Sequence, residues 1–439
     1  MLKSVLLVAT VLCCGAAFGQ RADRRLIQLI NGRDYFGLER EYSQLSGRTR
    51  QHETEFMAKT LLGCYFNRPE EVVPAATVLL EKYSEKIGDN SAAAVLWNAA
   101  YTLFCEGEYS KAAQLLRKYA YKYPAADNVD YLRSLSRAAN ALADVPMPVL
   151  ERPAHDLRVP FRSDSLGTGT VMKIPVEIGG SVGEWLLDSG VVWNFATENF
   201  AREHGIRIVD APVPLYKLSR SDIAFRMGVA DSVSVGGMVY RNALFVIIDT
   251  DGFAGCGAVL GLRFLNAAGE FVVDNVNGEI IFPAERTQLP PAGRNLVMLD
   301  GIPFVSVSVA VENSPEMNVL MRLNSGCPVS FFLERCYGLF GRYMDTNALI
   351  SGKYRLDGMV FPYDDCALLP LVQLRVGGEI FCTDDALLCN TSRDGVYVHE
   401  YGTLGCEFLA GFDTVTVNLR DCFVSCAGGA DCEVTSAEN

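Results

Sequence analysis

Histidine is scarce in this chain, basic runs are absent, and long apolar stretches are missing after the first residues. Four histidines among 439 residues leave little material for a Ser-His-Asp triad or for histidine metal ligands. His52 falls in a helical stretch, His155 adjoins a proline-rich segment, and no Gly-x-Ser-x-Gly surrounds any serine. His204 and His399 read as surface or core-edge residues. Lys and Arg number 39 against 52 Asp and Glu, for a formal net charge of -13. That balance argues against nucleic acid, because phosphate binding needs a basic face. Past the N-terminus no segment offers the roughly 20 apolar residues that a membrane-spanning helix needs, so no transmembrane anchor is expected. Glycine-rich phosphate loops are missing too: Gly179-Gly180 and Gly236-Gly237 fit hairpin turns. This inventory predicts no cofactor and no metal site.

What is present describes a folded, multidomain, exported protein. The composition is 49% hydrophobic and 21% charged, and the length exceeds one ordinary core. Lys3, the apolar stretch Ser4 to Cys14 and the small residues from Gly15 to Gly19 form a signal peptide pattern over residues 1–20, with cleavage near Gly19 or Gln20. The mature chain is therefore expected to be periplasmic or extracellular. Of 14 cysteines, nine fall between Cys327 and Cys432. In an exported protein that skew favours disulfides over zinc, and the pairs stay unassigned.

Residues 21–143 read as helical. Glu71 to Glu81 and Ala112 to Lys118 place apolar residues at helical spacing. Segments starting at Gly32, Asn67 and Gly107 resemble one another at intervals of 35 and 40 residues, a period that suits helix-turn-helix repeats. Ala99-Ala100-Tyr101, Gly107-Glu108-Tyr109 and Ala112-Ala113 resemble a tetratricopeptide repeat. Such a stack braces a neighbouring domain or binds a protein partner. Residues 144–158, with Pro146, Pro148 and Pro153, read as a linker. Beyond it the period changes to two, as in Thr170 to Ile178 and Glu184 to Leu187, and short glycine-punctuated strands continue to the end.

The stretch Trp185-Leu186-Leu187-Asp188-Ser189-Gly190 aims an apolar strand at a carboxylate, a hydroxyl and a glycine. Asp-Ser-Gly alone is also ordinary turn chemistry. Ala258-Val-Leu-Gly261-Leu follows downstream, then the hairpin Phe271 to Phe282. In that order these elements resemble the retropepsin-like aspartic peptidases. The resemblance implies Asp188 as a catalytic carboxylate, Ser189 and Gly190 as its supporting loop, and Gly261 packed directly behind it. An internal repeat supplies a second copy: Met321 to Gly326 aligns with Trp185 to Gly190, and Tyr401 to Leu409, with Gly405, matches Ala258 to Leu265. Asp188 and Gly261 are 73 residues apart, and Asn324 and Gly405 are 81 apart. The fold implied is an N-terminal helical-repeat region followed by two mainly antiparallel β-barrel lobes of the acid-protease fold, at 159–290 and 291–427, with a tail at 428–439.

The repeat places Asn324, with Ser325 and Gly326, where the second carboxylate should stand. An amide donates a hydrogen bond but cannot exchange a proton in this role. Three readings follow: an endopeptidase using Asp188 and Asn324 on a polypeptide substrate, a catalytically inactive peptide- or protein-binding module, or a dimer that brings two Asp188 side chains together. Asp300, Asp357, Asp364 and Asp365 compete weakly for the missing role and read as turn or loop residues. Tyr216 stands where a flap over the cleft could begin, and Asn390-Thr391-Ser392 fits a glycosylation sequon.

Overall fold

The computed structural model describes residues 21–45, 51–166, 169–214, 225–250, 252–343, 345–356, 359–384, 386–389 and 400–429. The signal segment, Tyr216, Asp357, the Asn390 sequon, His399 and the tail beyond 429 lie outside them.

Paired helices make the first third: Arg21–Gly32 with Tyr35–Leu45, His52–Tyr65 with Pro69–Val78, and Asp89–Cys105 with Tyr109–Tyr119, followed by Val129–Ala141. Each pair is closed by a residue in the left-handed region: Arg33 (φ 55), Asn67 (φ 50) and Gly107 (φ 79). The next N–H then reaches back to the same relative carbonyl every time, as in Asp34 to Leu29 (3.0 Å), Arg68 to Gly63 (2.8 Å) and Glu108 to Leu103 (2.8 Å). This is the C-cap geometry that satisfies orphaned helix carbonyls. The three similar segments of the sequence are thus three equivalent turns. Buried alanines, among them Ala92, Ala93, Ala99, Ala100, Ala112 and Ala138, let the helices approach closely.

The remainder is β structure in sheets of nine, five and ten strands. Residues 144–158 are not a free tether. Val149–Glu151 pairs with Met238–Ile248, and Leu157–Pro160 pairs with Glu279–Phe282. The alternation that buries Leu157 and Val159 explains why this stretch joins a sheet despite its prolines. In the first β half, Gly169–Ile178 pairs antiparallel with Ser181–Leu187, whose end runs parallel to Ala258–Leu260. The second half repeats this with Ile302–Val311, Met317–Leu323 and Gly402–Leu404. Both halves share the five-stranded sheet, where Glu270–Asp274 pairs with Thr414–Asn418.

Helices and strands share one contiguous apolar core running from Leu26 to Val424. Trp193 packs edge-on against Phe104, with ring centroids 5.6 Å apart. Arg263 donates to the carbonyl of Cys105 (2.8 Å), and Asn67 donates to that of Leu419 (3.0 Å). Glu39 accepts from both Arg68 (2.6 Å) and Arg294 (2.7 Å). Cys327, Cys336, Cys389, Cys406, Cys422 and Cys426 are free thiols, whereas Cys382 is disulfide-bonded. No helix of the described residues is long and apolar enough to cross a membrane.

Two glycines test the turn geometry. At Gly107 the φ is positive and an added Cβ would overlap Pro148, whereas at Gly32 nothing lies within 4 Å. Gly107→Ala is expected to cost about 1–3 kcal/mol, and Gly32→Ala to be neutral or mildly stabilising. Urea unfolding of the two variants side by side checks the contrast.

Candidate functional site

Each half ends its central strand in a loop anchored from behind. The Asp188 N–H donates to the carbonyl of Leu260 (3.0 Å) and the Asn324 N–H to that of Leu404 (2.9 Å). Gly261 and Gly405 follow those carbonyls. A Cβ on Gly261 would overlap the carbonyl of Trp193, and one on Gly405 would overlap the backbone of Val329. Only glycine permits this approach. The Gly261 N–H is received by Asn194 Oδ1 (2.9 Å) and the Gly405 N–H by Ser330 Oγ (2.9 Å). Asn194 and Ser330 stand at the same offset from Asp188 and Asn324, and their side chains fix the two glycine strands.

The loops meet through a reciprocal set of bonds across 136 residues of sequence. The Ser189 N–H donates to Ser325 Oγ (2.9 Å), and the Ser325 N–H donates to Ser189 Oγ (3.0 Å). Each hydroxyl then donates across the interface, Ser325 to the carbonyl of Leu187 (2.8 Å) and Ser189 to that of Leu323 (3.3 Å). A hydroxyl can accept and donate at once, which is why serine suits both positions. A Cβ on Gly190 would overlap Asn324 and one on Gly326 would overlap Asp188, so each side chain lies against the opposite glycine.

All eight residues singled out from the sequence are therefore gathered at this junction. Asp188 is 1% exposed and Asn324 0%. Asp188 Oδ1 accepts the Gly190 N–H (2.8 Å), and Asn324 Oδ1 accepts the Gly326 N–H (3.0 Å) in the same manner. Asn324 Nδ2 has no acceptor among the described residues. The junction thus buries one carboxyl and one amide, each against the opposite glycine. Displacing the second half to pair two Asp188 loops would break every serine bond above, which disfavours the dimeric reading.

Sequence reasoning overlooked Arg322, Asn194, Ser330 and Trp193. A signal existed for Arg322, a lone charge in the apolar run Val319 to Leu323. Asn194 and Ser330 differ in type, so the repeat hid their shared task. Glu407 belongs here as well: it accepts the Ser330 N–H (2.8 Å), and burial raises its carboxyl above the usual range. The other candidates lie elsewhere. Asp300 sits in a turn at φ 51 beside the helices, and the His204 ring lies tilted against Phe200 at 4.2 Å between ring centroids. Asp364 and Asp365 fall within the strand Met359–Leu369. Among the described residues no group of three or more His, Cys, Asp or Glu side chains could hold a metal ion.

No protein-family model matches this chain, and no curated protein matches it. Among solved structures, conglutin gamma, a basic 7S globulin from lupine seeds, is 12% identical with a TM-score of 0.37, over 62% of this chain and 94% of that one. Basic 7S globulin from soybean is 13% identical with a TM-score of 0.38, over 63% and 95% respectively. Likeness of this degree carries no inference about this chain.

The serine bridge predicts strong coupling. Ser189→Ala and Ser325→Ala each orphan a buried N–H and are expected to cost about 1–3 kcal/mol. Because both act on one network, the double variant should cost less than the sum by about 0.5–3 kcal/mol. Chemical unfolding of the four proteins measures that difference, and strict additivity would count against a shared network.

Proposed function

We propose that this chain is an exported aspartic-type endopeptidase, with two retropepsin-like lobes braced by tetratricopeptide-like helices. The observation that carries the reading is the junction of Asp188-Ser189-Gly190 with Asn324-Ser325-Gly326. There Asp188 lies against Gly326 and Asn324 against Gly190, and Asn324 Nδ2 has no acceptor among the described residues. In a two-carboxylate site one group is held protonated, so that a base and an acid serve the same bond. Here Asp188 does both in turn. It takes a proton from water as the oxygen attacks the scissile carbonyl carbon. Asn324 Nδ2 donates a hydrogen bond to the oxygen on which charge develops. Asp188 then returns its proton to the departing nitrogen, and the C–N bond breaks. Nothing is oxidised or reduced, and no cofactor is needed.

The amide sets a limit on rate. General acid catalysis is worth roughly 10²–10⁴-fold, and a hydrogen bond from asparagine replaces only part of it. That same substitution favours a second reading, capture of an extended polypeptide without cleavage. The helical region is the surface on which a protein partner would dock in either case.

Cleavage of a mixed peptide library from pH 3 to pH 8 separates the two. The wild-type protein is expected to cut and Asp188→Ala to be inactive. Asn324→Asp should raise the rate by an order of magnitude or more and move the optimum toward acid. Peptide retention without cleavage by any of the three proteins would leave the binding module as the function.

A further inference from the structure

One charge breaks the correspondence between the two β halves. Strand Met317–Leu323 carries Arg322 where strand Ser181–Leu187 carries Leu186, each two residues before the loop residue Asn324 or Asp188. Arg322 is 2% exposed, flanked by Phe304 on the antiparallel side and Thr403 on the parallel side. Its Nη2 donates to the carbonyl oxygen of Gly190, in the opposite half. Gly190 in turn donates its N–H to Asp188 Oδ1 (2.8 Å). Gly190 therefore connects guanidinium and carboxylate. Leu186 has no side-chain donor, so its position in the first half offers Gly326 no matching bond.

A guanidinium keeps its proton in a protein, so this buried charge is permanent and costly unless opposed. Both charges reach the thiol of Cys327, which follows the Asn324 loop. That thiol is pushed up to about 12, first by burial; the Asp188 charge raises it and the Arg322 charge lowers it. Relative to the first half, the second half has thus gained a cation near its loop, where it also has an amide opposite the carboxylate. The two differences act in the same electrical direction around Asp188.

We propose that Arg322 is the positioning residue of the Asp188 loop, fixing Gly190 across the interface and supplying the counter-charge that keeps Asp188 an anion. The inference deepens the reading in which Asp188 is the working carboxylate and rests on it. A carboxylate without an acid partner must be ionised to take a proton from water, and a fixed cation on the far side of Gly190 favours that form. Arg322 does not touch the reacting atoms in this scheme. It acts through the glycine that the carboxylate holds.

The test is a cycle in the full-length protein at pH 7, with Arg322→Met, Asp188→Asn, the double variant and Arg322→Lys compared by urea unfolding and peptide cleavage. Arg322→Met is expected to lower the folded-to-unfolded ratio at least tenfold more in the Asp188 background than in the Asp188→Asn background. It should lower kcat tenfold or more with KM changed less than threefold, and Arg322→Lys should recover most of that kcat. Equal stability losses in both backgrounds, or Arg322→Lys behaving as Arg322→Met, overturn the proposal. If Arg322→Met does not fold, Arg322→Gln, which keeps a donor for Gly190 and drops the charge, takes its place in the same cycle. A wild-type protein that cleaves nothing while the stability coupling persists rejects the peptidase reading and leaves the role of Arg322 standing.

Discussion

A carboxylate buried to 1% exposure sets the terms for the middle of this molecule. Taking a carboxyl group out of water is costly unless hydrogen bonds replace the lost hydration. Asp188 is supplied from its own loop by the Gly190 N–H, and Arg322 holds the far side of that glycine. The loop is in turn held by Ser325, which is presented by a copy of the same loop. Glycine is required at four places because the two loops and the two strands behind them approach more closely than any Cβ allows. The pairing of the two halves is thus inseparable from the burial of one side chain.

Much of this arrangement was legible in the sequence because it is written twice. The apolar strand, the Asp-Ser-Gly or Asn-Ser-Gly tip and the later glycine recur in order, and each recurrence corresponds to a structural equivalence. The helical turns were legible for the same reason: Gly32, Asn67 and Gly107 open similar segments, and the left-handed residues fall at or beside them. What stayed hidden depends on contacts made once. Trp193 joins the helices to the strand behind the site, and the residue at its offset in the second half is Val329, so no repeat announces it. Ser330, which answers to Asn194, is tied instead to Glu407.

The stretch 144–158 runs from the helices to the β halves and is itself drawn into two sheets. Prolines mark where a helix cannot continue, but they do not prevent an edge strand, since an edge has N–H groups that need no partner. Leu157 and Val159 alternate with exposed neighbours and are buried, which was enough to add the segment to a sheet. The cysteines carried a different lesson. Their number near the C-terminus reflected apolar packing as much as cross-linking: Cys327, Cys366 and Cys389 sit with Phe331 and Leu333 in a small cluster of their own. Buried thiols of this kind behave as small hydrophobes.

The shared five-stranded sheet bears on how the chain comes to exist at all. Its middle strand, Glu270–Asp274, finds one neighbour nearby in Glu279–Phe282 and the other only in Thr414–Asn418. A ribosome delivers these in order, so the first half emerges with one flank of that strand unclaimed until the far strand has been made. An open flank is a template for any passing strand, including that of another nascent copy. Until that late strand arrives the sheet is incomplete, and a chain released early would carry an adhesive edge.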